Sequence, residues 1–226
     1  MRIWDVHPGY LDRQRLLGEH RELHGVVSIL VKNLAGYAQH PETRRWDGCG
    51  WALRHRHRLL ACEMSFRGYR DKTPVRLRSS PGRWPSTFVD APGEQFTLLA
   101  AKYGGTSTGR IPLPRTSHEL WSHHKYSVLA RDQAAYRALG RRVGNLRGRE
   151  GFEELALELT NWMRKPPTAG NLLNAVQHMA GHLAARIDPR CTTPPGRLRA
   201  IERQAAVEAP PYLLTQTALT ELAAWR

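Results

Sequence analysis

The sequence predicts an all-α chain: two helical domains packed together, with a proline-rich irregular segment between them. Three observations carry this. Apolar residues recur at three- and four-residue steps along several long stretches. Strand-like alternation is scarce. Prolines at 74, 81, 85 and 92 interrupt the middle of the chain. With 226 residues, 41% of them apolar, the chain is long enough for one large domain or two small ones with a real core.

The elements follow in order. Ile3, Trp4 and Val6 are core-type residues within six positions of the start, where most chains fray. Pro8 and Gly9 close this short extended entry. From about 13 to 34 the pattern is helical, with Leu16, Leu23, Val27, Leu30 and Leu34 on one stripe. Residues 36–50 read as a loop with a helix start near Asp47, and 51–69 as a second helix with Gly68 at its C-cap. Residues 70–93 are irregular, a short helix covers 94–103, and "GGTSTGRIPLPR" (104–115) is the linker candidate. Helical patterns resume at 118–146, 151–163 and 171–187, with two shorter pieces near the C-terminus. The expected domains are 1–110 and 113–226. There is no internal repeat and no low-complexity tract.

No stretch approaches the roughly 18 apolar residues of a membrane span, and no apolar h-region follows the start. Cys49, Cys62 and Cys191 are an odd, widely spaced set that suits a reducing cytoplasm better than a disulfide framework. The formal net charge is +14 and the pI about 10.5. Arginine supplies 29 of the 34 basic residues, and its planar fork grips phosphate where lysine acts as a point charge. A nucleic-acid partner and a nucleoid-associated location are therefore expected. The plainer alternative is a genome composition that favours arginine codons.

Opposite the leucine stripe of the first helix lie Gln14, Gly18, Arg21, Glu22 and Gly25. Gly18 and Gly25 sit one turn either side of Glu22. Glycine inside a helix costs roughly 1 kcal/mol against alanine, so two beside one carboxylate suggest a close approach to the backbone. The other reading is loose helix–helix packing with Arg21 and Glu22 as solvated charges. In "RHRHR" (54–58), Arg54 and Arg58 share a face and Arg56 points elsewhere. That face is either solvated or a DNA-backbone contact. Trp46, Trp51 and Trp84 are either core or stacking residues.

"MRI" followed by "LLGEHRELHG" resembles the pyrimidine-dimer DNA glycosylases of the phage endonuclease V type, and "HPETRRWDG" and "RGYRDKTPV" resemble that family's bacterial branch. The resemblance spans roughly 1–110. It implies a DNA glycosylase/AP lyase whose nucleophile is the N-terminal α-amine, with the glutamate of Arg-Glu-Leu, here Glu22, as the partner acid. Aligning that motif places Met1 at the nucleophile position, and methionine before Arg2 is expected to be retained. α-Amines ordinarily titrate at about 7.7–8.0, so a fraction is neutral and nucleophilic near pH 7. The resemblance further implies DNA contacts at Arg2, Gln14, Arg15 and Arg21. A further arginine of the phage enzyme corresponds to Gly25, which leaves the lesion open between pyrimidine dimers and other modified pyrimidines. The expected partner is double-stranded DNA with damaged or modified bases. No cofactor, metal or membrane is expected.

"WSHHKYSVLARDQAAYRALGRRV" and "PTAGNLLNAVQHMAGHL" resemble a helical domain of unknown role found beside photolyase genes and fused to thiouracil desulfidases. His124, Lys125, Tyr136, Gly140, Asn174, Gln177, His178 and Gly181 fall on its pattern. His124, Lys125, Asn174, Gln177 and His178 are the candidate site there. His178 and His182 stand one turn apart, a spacing able to hold zinc, but without the glutamate of a zinc-protease motif. Two other readings therefore stand beside the glycosylase: a non-catalytic DNA-binding or repair-accessory protein, and a metal-dependent nucleic-acid enzyme.

Overall fold

The computed structural model describes residues 1–32, 34–105, 108–184, 188 and 190–225. The described residues contain helices and no strand. The helices are α1 (Arg13–Lys32), α2 (Ala35–Ala38), α3 (Pro41–Trp46), α4 (Gly50–Phe66), α5 (Pro92–Tyr103), α6 (Ser117–Leu129), α7 (Gln133–Gly144), α8 (Phe152–Met163), α9 (Ala169–Ala180), α10 (Pro194–Glu208), α11 (Pro211–Leu214) and α12 (Ala218–Glu221). The expected all-α class is borne out.

Several expected boundaries shift for physical reasons. The entry around Pro8 is a 3-10 turn, Pro8–Tyr10, because the His7 ring accepts the Gly9 N–H at 2.9 Å. Asp12 starts α1 by accepting the Arg15 N–H at 2.7 Å. The buried positions of α1 are Leu16, Glu19, Leu23, Val26 and Ile29, whereas Leu34 lies beyond the helix and is exposed. The stripe is thus rotated from the expected one, since Val26 and Ile29 replace Val27 and Leu30 at its centre. The expected loop at 36–50 holds the short α2 and α3. His40 caps α3 and Pro41 fills its first turn, where a missing N–H costs nothing. Gly68, at φ 82°, follows α4 as anticipated. The stretch 118–146 divides because Asp132 caps a new helix, accepting the Ala135 N–H at 2.8 Å. The expected helix at 171–187 runs from Ala169 to Ala180; its 185–187 portion and residues 106–107 of the linker candidate lie outside the described residues.

The N-terminal strand-like segment has no sheet to join, so side chains take its polar groups. Glu19 accepts the Trp4 N–H at 3.2 Å, Gln95 the Asp5 N–H at 2.8 Å, Arg56 donates to the Val6 carbonyl at 2.9 Å and Arg45 to the Ile3 carbonyl at 3.1 Å. Asp5 pairs with Arg45 at 3.1 Å and Arg164 at 3.0 Å. This satisfies buried backbone that would otherwise cost about 1–3 kcal/mol per group. Ile3, Trp4 and Val6 are buried in a core shared with α1, α4, α5, α6, α7 and α8. A second core joins α6 to α9, α10, α11 and α12. Glu63 of α4 ties the two together: Arg110 and, from the C-terminal region, Thr220 donate to it at 2.7 and 2.8 Å. Trp46 is core and Trp51 and Trp84 pack against it, so the stacking alternative has no geometric support at Trp46.

Candidate functional site

The first residue lies against α1. A side chain on Gly25 would meet Met1 Sδ at 3.9 Å, and one on Gly18 would meet nothing within 4 Å. Among the described residues nothing stands within 4 Å of that Gly18 position, which weighs against the helix-packing reading there. The backbone N–H of Arg2 donates to Glu22 Oε2. Three covalent bonds separate this nitrogen from the Met1 amine, so covalent geometry keeps the amine within about 6 Å of the carboxylate. Both Met1 and Glu22 are half-buried. The amine, the carboxylate and an unobstructed stretch of helix backbone thus stand together.

Arg2 stacks over Trp4, 4.5 Å from the ring centre, and pairs with Asp90. Its Nε and one terminal nitrogen are buried without a hydrogen-bond partner. Two unpartnered donors are suited to an anionic oxygen.

Gln14, Arg15 and Arg21 line one cleft of about 460 Å3, with Arg13 and Lys102. Gln14 and Arg21 are exposed. Arg15 is held in place, donating to the Lys102 carbonyl at 2.9 Å and lying over Tyr103. The cleft is strongly basic and adjoins the Glu22 face of α1. Arg58 is elsewhere: it lines a groove between α4 and α10 with Arg199 and Arg203. Arg54 is half-buried on α4. Arg56, which the sequence pattern points away from this face, is buried on Glu19, with Nε and one terminal nitrogen at 2.7 and 2.8 Å from the carboxylate oxygens.

The five residues singled out in the second half do not share one place. His124 is buried, its Nδ1 2.9 Å from the Leu120 carbonyl and 3.4 Å from the Tyr10 hydroxyl. Burial, with a smaller contribution from His123, pushes its pKa down to about 3, although the Leu120 carbonyl opposes this. Lys125 turns the other way, over Tyr126 and Tyr212. His178 is exposed near Tyr126, ring centres 6.1 Å apart, and His182 Nε2 lies 2.8 Å from the Tyr126 hydroxyl. Asn174 is half-buried on α9 and Gln177 exposed. Lys125, His178, His182 and Tyr212 therefore gather around the buried Tyr126. Tyr126 lies within the quoted "WSHHKYSVL" stretch, whereas Tyr212 lies outside every motif.

Another gathering was missed altogether. His20 and His24 of α1, His57 of α4 and Asp71 after α4 place their ligating atoms within 4.8 Å of one another. The legible signal was the four-residue spacing of His20 and His24. Burial pushes the pKa of His57 down to about 4, with Asp71 opposing and His20 and His24 adding to the shift.

Residues 1–77 match the family model described as pyrimidine dimer DNA glycosylase. Residues 125–192 match the family described as protein of unknown function (DUF1722). This is the layout anticipated from the motifs. No curated protein and no solved structure was found to match the chain. Among the described residues, no helix is long and apolar enough to cross a membrane.

Proposed function

We propose that the chain is a bifunctional DNA glycosylase/AP lyase acting on damaged or modified pyrimidines in double-stranded DNA, with residues 1–110 as the catalytic domain and 113–226 as an accessory domain for DNA or base recognition. The family match of residues 1–77 supports a DNA substrate for this reading. The observation that carries the mechanism is the Arg2 N–H to Glu22 hydrogen bond, which keeps the first residue's amine beside a half-buried carboxylate.

The Met1 nitrogen attacks C1′ of the damaged nucleotide, and the C1′–N bond electrons leave with the base. The amine loses its protons as the sugar ring opens, leaving a Schiff base between Met1 and C1′. Glu22 stabilises the cationic sugar and then accepts the C2′ proton. The electrons of that C–H bond expel the 3′ phosphate, and the strand is nicked. Arg2, with two unpartnered donors, and the cleft holding Gln14, Arg15 and Arg21 grip the phosphates. The open backbone at Gly18 admits the DNA. Arg54 and Arg58 serve a second, more distant stretch of duplex.

Borohydride trapping tests this. Untagged protein is incubated with duplexes carrying a cyclobutane pyrimidine dimer, an abasic site or no lesion, then reduced. A covalent adduct mapping to Met1, lost on the dimer duplex in Glu22→Gln, is the expected result. Trapping on the abasic site alone points to another lesion. No adduct on any duplex, with a free N-terminus, leaves a DNA-binding protein without catalysis.

A further inference from the structure

We propose that His20, His24, His57 and Asp71 form a binding site for one divalent transition-metal ion of the zinc class, which fastens α1 to α4 and to the chain that follows α4. Such an ion lies outside the proposed glycosylase chemistry, and the sequence pattern had pointed for a metal, if anywhere, to His178 and His182.

The donor set suits the ion. Three imidazoles and one carboxylate make four ligands, the number of a closed structural zinc site, and imidazole-rich sites favour zinc over magnesium or calcium. The three rings form a nearly equilateral triangle, with centres 4.8, 4.9 and 5.0 Å apart. Asp71 closes it: Oδ1 lies 3.3 Å from His20 Nε2, and Oδ2 lies 3.7 Å from His57 Nε2. A tetrahedral ion with 2.0–2.1 Å bonds needs ligand atoms about 3.4 Å apart, so atoms now within 4.8 Å of one another draw together by at most about 1.4 Å to receive it.

Two further observations point to a ligand. His20 Nε2 and His57 Nε2 are buried without a hydrogen-bond partner, and the His57 side chain is only 3% exposed. Buried nitrogens left open are costly, and a metal ion would engage them. The carboxylate is also braced from outside. Thr73 donates its N–H at 2.9 Å and its hydroxyl at 3.1 Å to Asp71 Oδ1, and the same hydroxyl lies 3.1 Å from His24 Nε2. Such outer contacts orient first ligands at metal sites.

The placement argues for a structural ion. On an ideal helix His20 and His24 lie about 160° round α1 from Glu22, so the ion would not face the Met1 amine. It would instead pin the helix that carries Glu22, from behind, to α4.

The test uses the full untagged chain, grown in zinc-supplemented medium. Elemental analysis is expected to return about one zinc per chain. Cobalt(II) added to the chelator-treated protein is expected to give the intense visible bands of a tetrahedral site, and chelation to lower the Tm. Asp71→Asn and, separately, the less buried His24→Gln are expected to weaken cobalt binding by at least about 10-fold, the loss that removing an outer contact alone brings. Two results overturn the proposal. One is a folded, chelator-treated wild type, by circular dichroism, that takes up neither cobalt nor zinc. The other is stoichiometric metal with undiminished affinity in both variants, which would place the ion elsewhere.

Discussion

Arg56 and Glu19 form a buried, two-pronged ion pair between α4 and α1, and each also holds the N-terminal segment: Arg56 through the Val6 carbonyl, Glu19 through the Trp4 N–H. Thirty-seven residues apart in sequence, the two meet because the segment that would deliver the Met1 amine needs donors and acceptors that no sheet provides.

Breaking that pair should therefore loosen the terminus and the fold together. Arg56→Leu leaves the Glu19 carboxylate buried without its partner, and removing one member of such a pair costs about 3–5 kcal/mol. A urea titration is expected to show this loss. An unchanged midpoint would mean that the pair contributes little.

Glu22→Gln separates chemistry from stability. The side chain is half-buried and keeps its shape, so the urea midpoint should move little. Base excision should fall by about 100-fold or more, the usual worth of a positioned acid/base. Wild-type excision rates in the variant would remove Glu22 from the mechanism.

Gly18→Ala should stabilise the protein by up to about 1 kcal/mol. The position is inside α1, and an added Cβ meets nothing within 4 Å. Gly18→Leu should keep most of that gain yet weaken binding to DNA, because the side chain projects where the duplex would approach. Equal DNA affinity for Gly18→Leu and wild type would show that the open face is not used.

The cleft is expected to act as a phosphate grip. Arg21 is exposed there, and Arg21→Ala should weaken binding to lesion-containing and undamaged duplexes alike. It should also reduce the salt slope of log K by about 0.9. Fluorescence anisotropy across a salt series measures both, and an unaltered slope would place the duplex elsewhere.

Buried histidines should make the fold acid-sensitive well above the carboxylate range. Burial, with nearby arginines, pushes His55 down to about 3; burial and Arg110 push His123 down to about 4; burial lowers His124 to about 3. In the unfolded chain these residues bind protons near pH 6.5, while in the folded protein they stay neutral. Protons therefore favour unfolding from about pH 6.5 downward, and this stability is intact only above that value. Each histidine removes up to about 1.4 kcal/mol per pH unit. Glu63 behaves separately. Burial opposes its charge, but Arg110, Arg67 and His7 hold its pKa well below the usual range, so its contribution is lost only below about pH 4.5. With a chelator present, the urea midpoint should drop between pH 7.5 and 5; a flat profile would contradict the buried-neutral assignment.

The sequence by itself determined the helical class, the position of most helices and the spacing between the start of the chain and Glu22. These depend on local matters: apolar periodicity, prolines that exclude strands, and a motif confined to the first quarter of the chain. Helix phase and the small helices α2 and α3 escaped it: α3 and the Pro8–Tyr10 turn start on ring nitrogens of His40 and His7, which propensity alone does not announce, and α2 is a single turn with no side-chain cap. Side-chain destinations were decided only by tertiary structure. Arg54, Arg56 and Arg58 look alike in "RHRHR", yet Arg56 is buried on Glu19 while Arg58 lines a groove with α10. His124 and Lys125 are neighbours on one motif, yet one is buried against Tyr10 and the other lies over Tyr126 and Tyr212. His20, His24, His57 and Asp71 span 52 residues and meet only when α4 packs on α1. Burial and partnership depend on which surfaces come together, and that is a property of the packed chain that no local pattern contains.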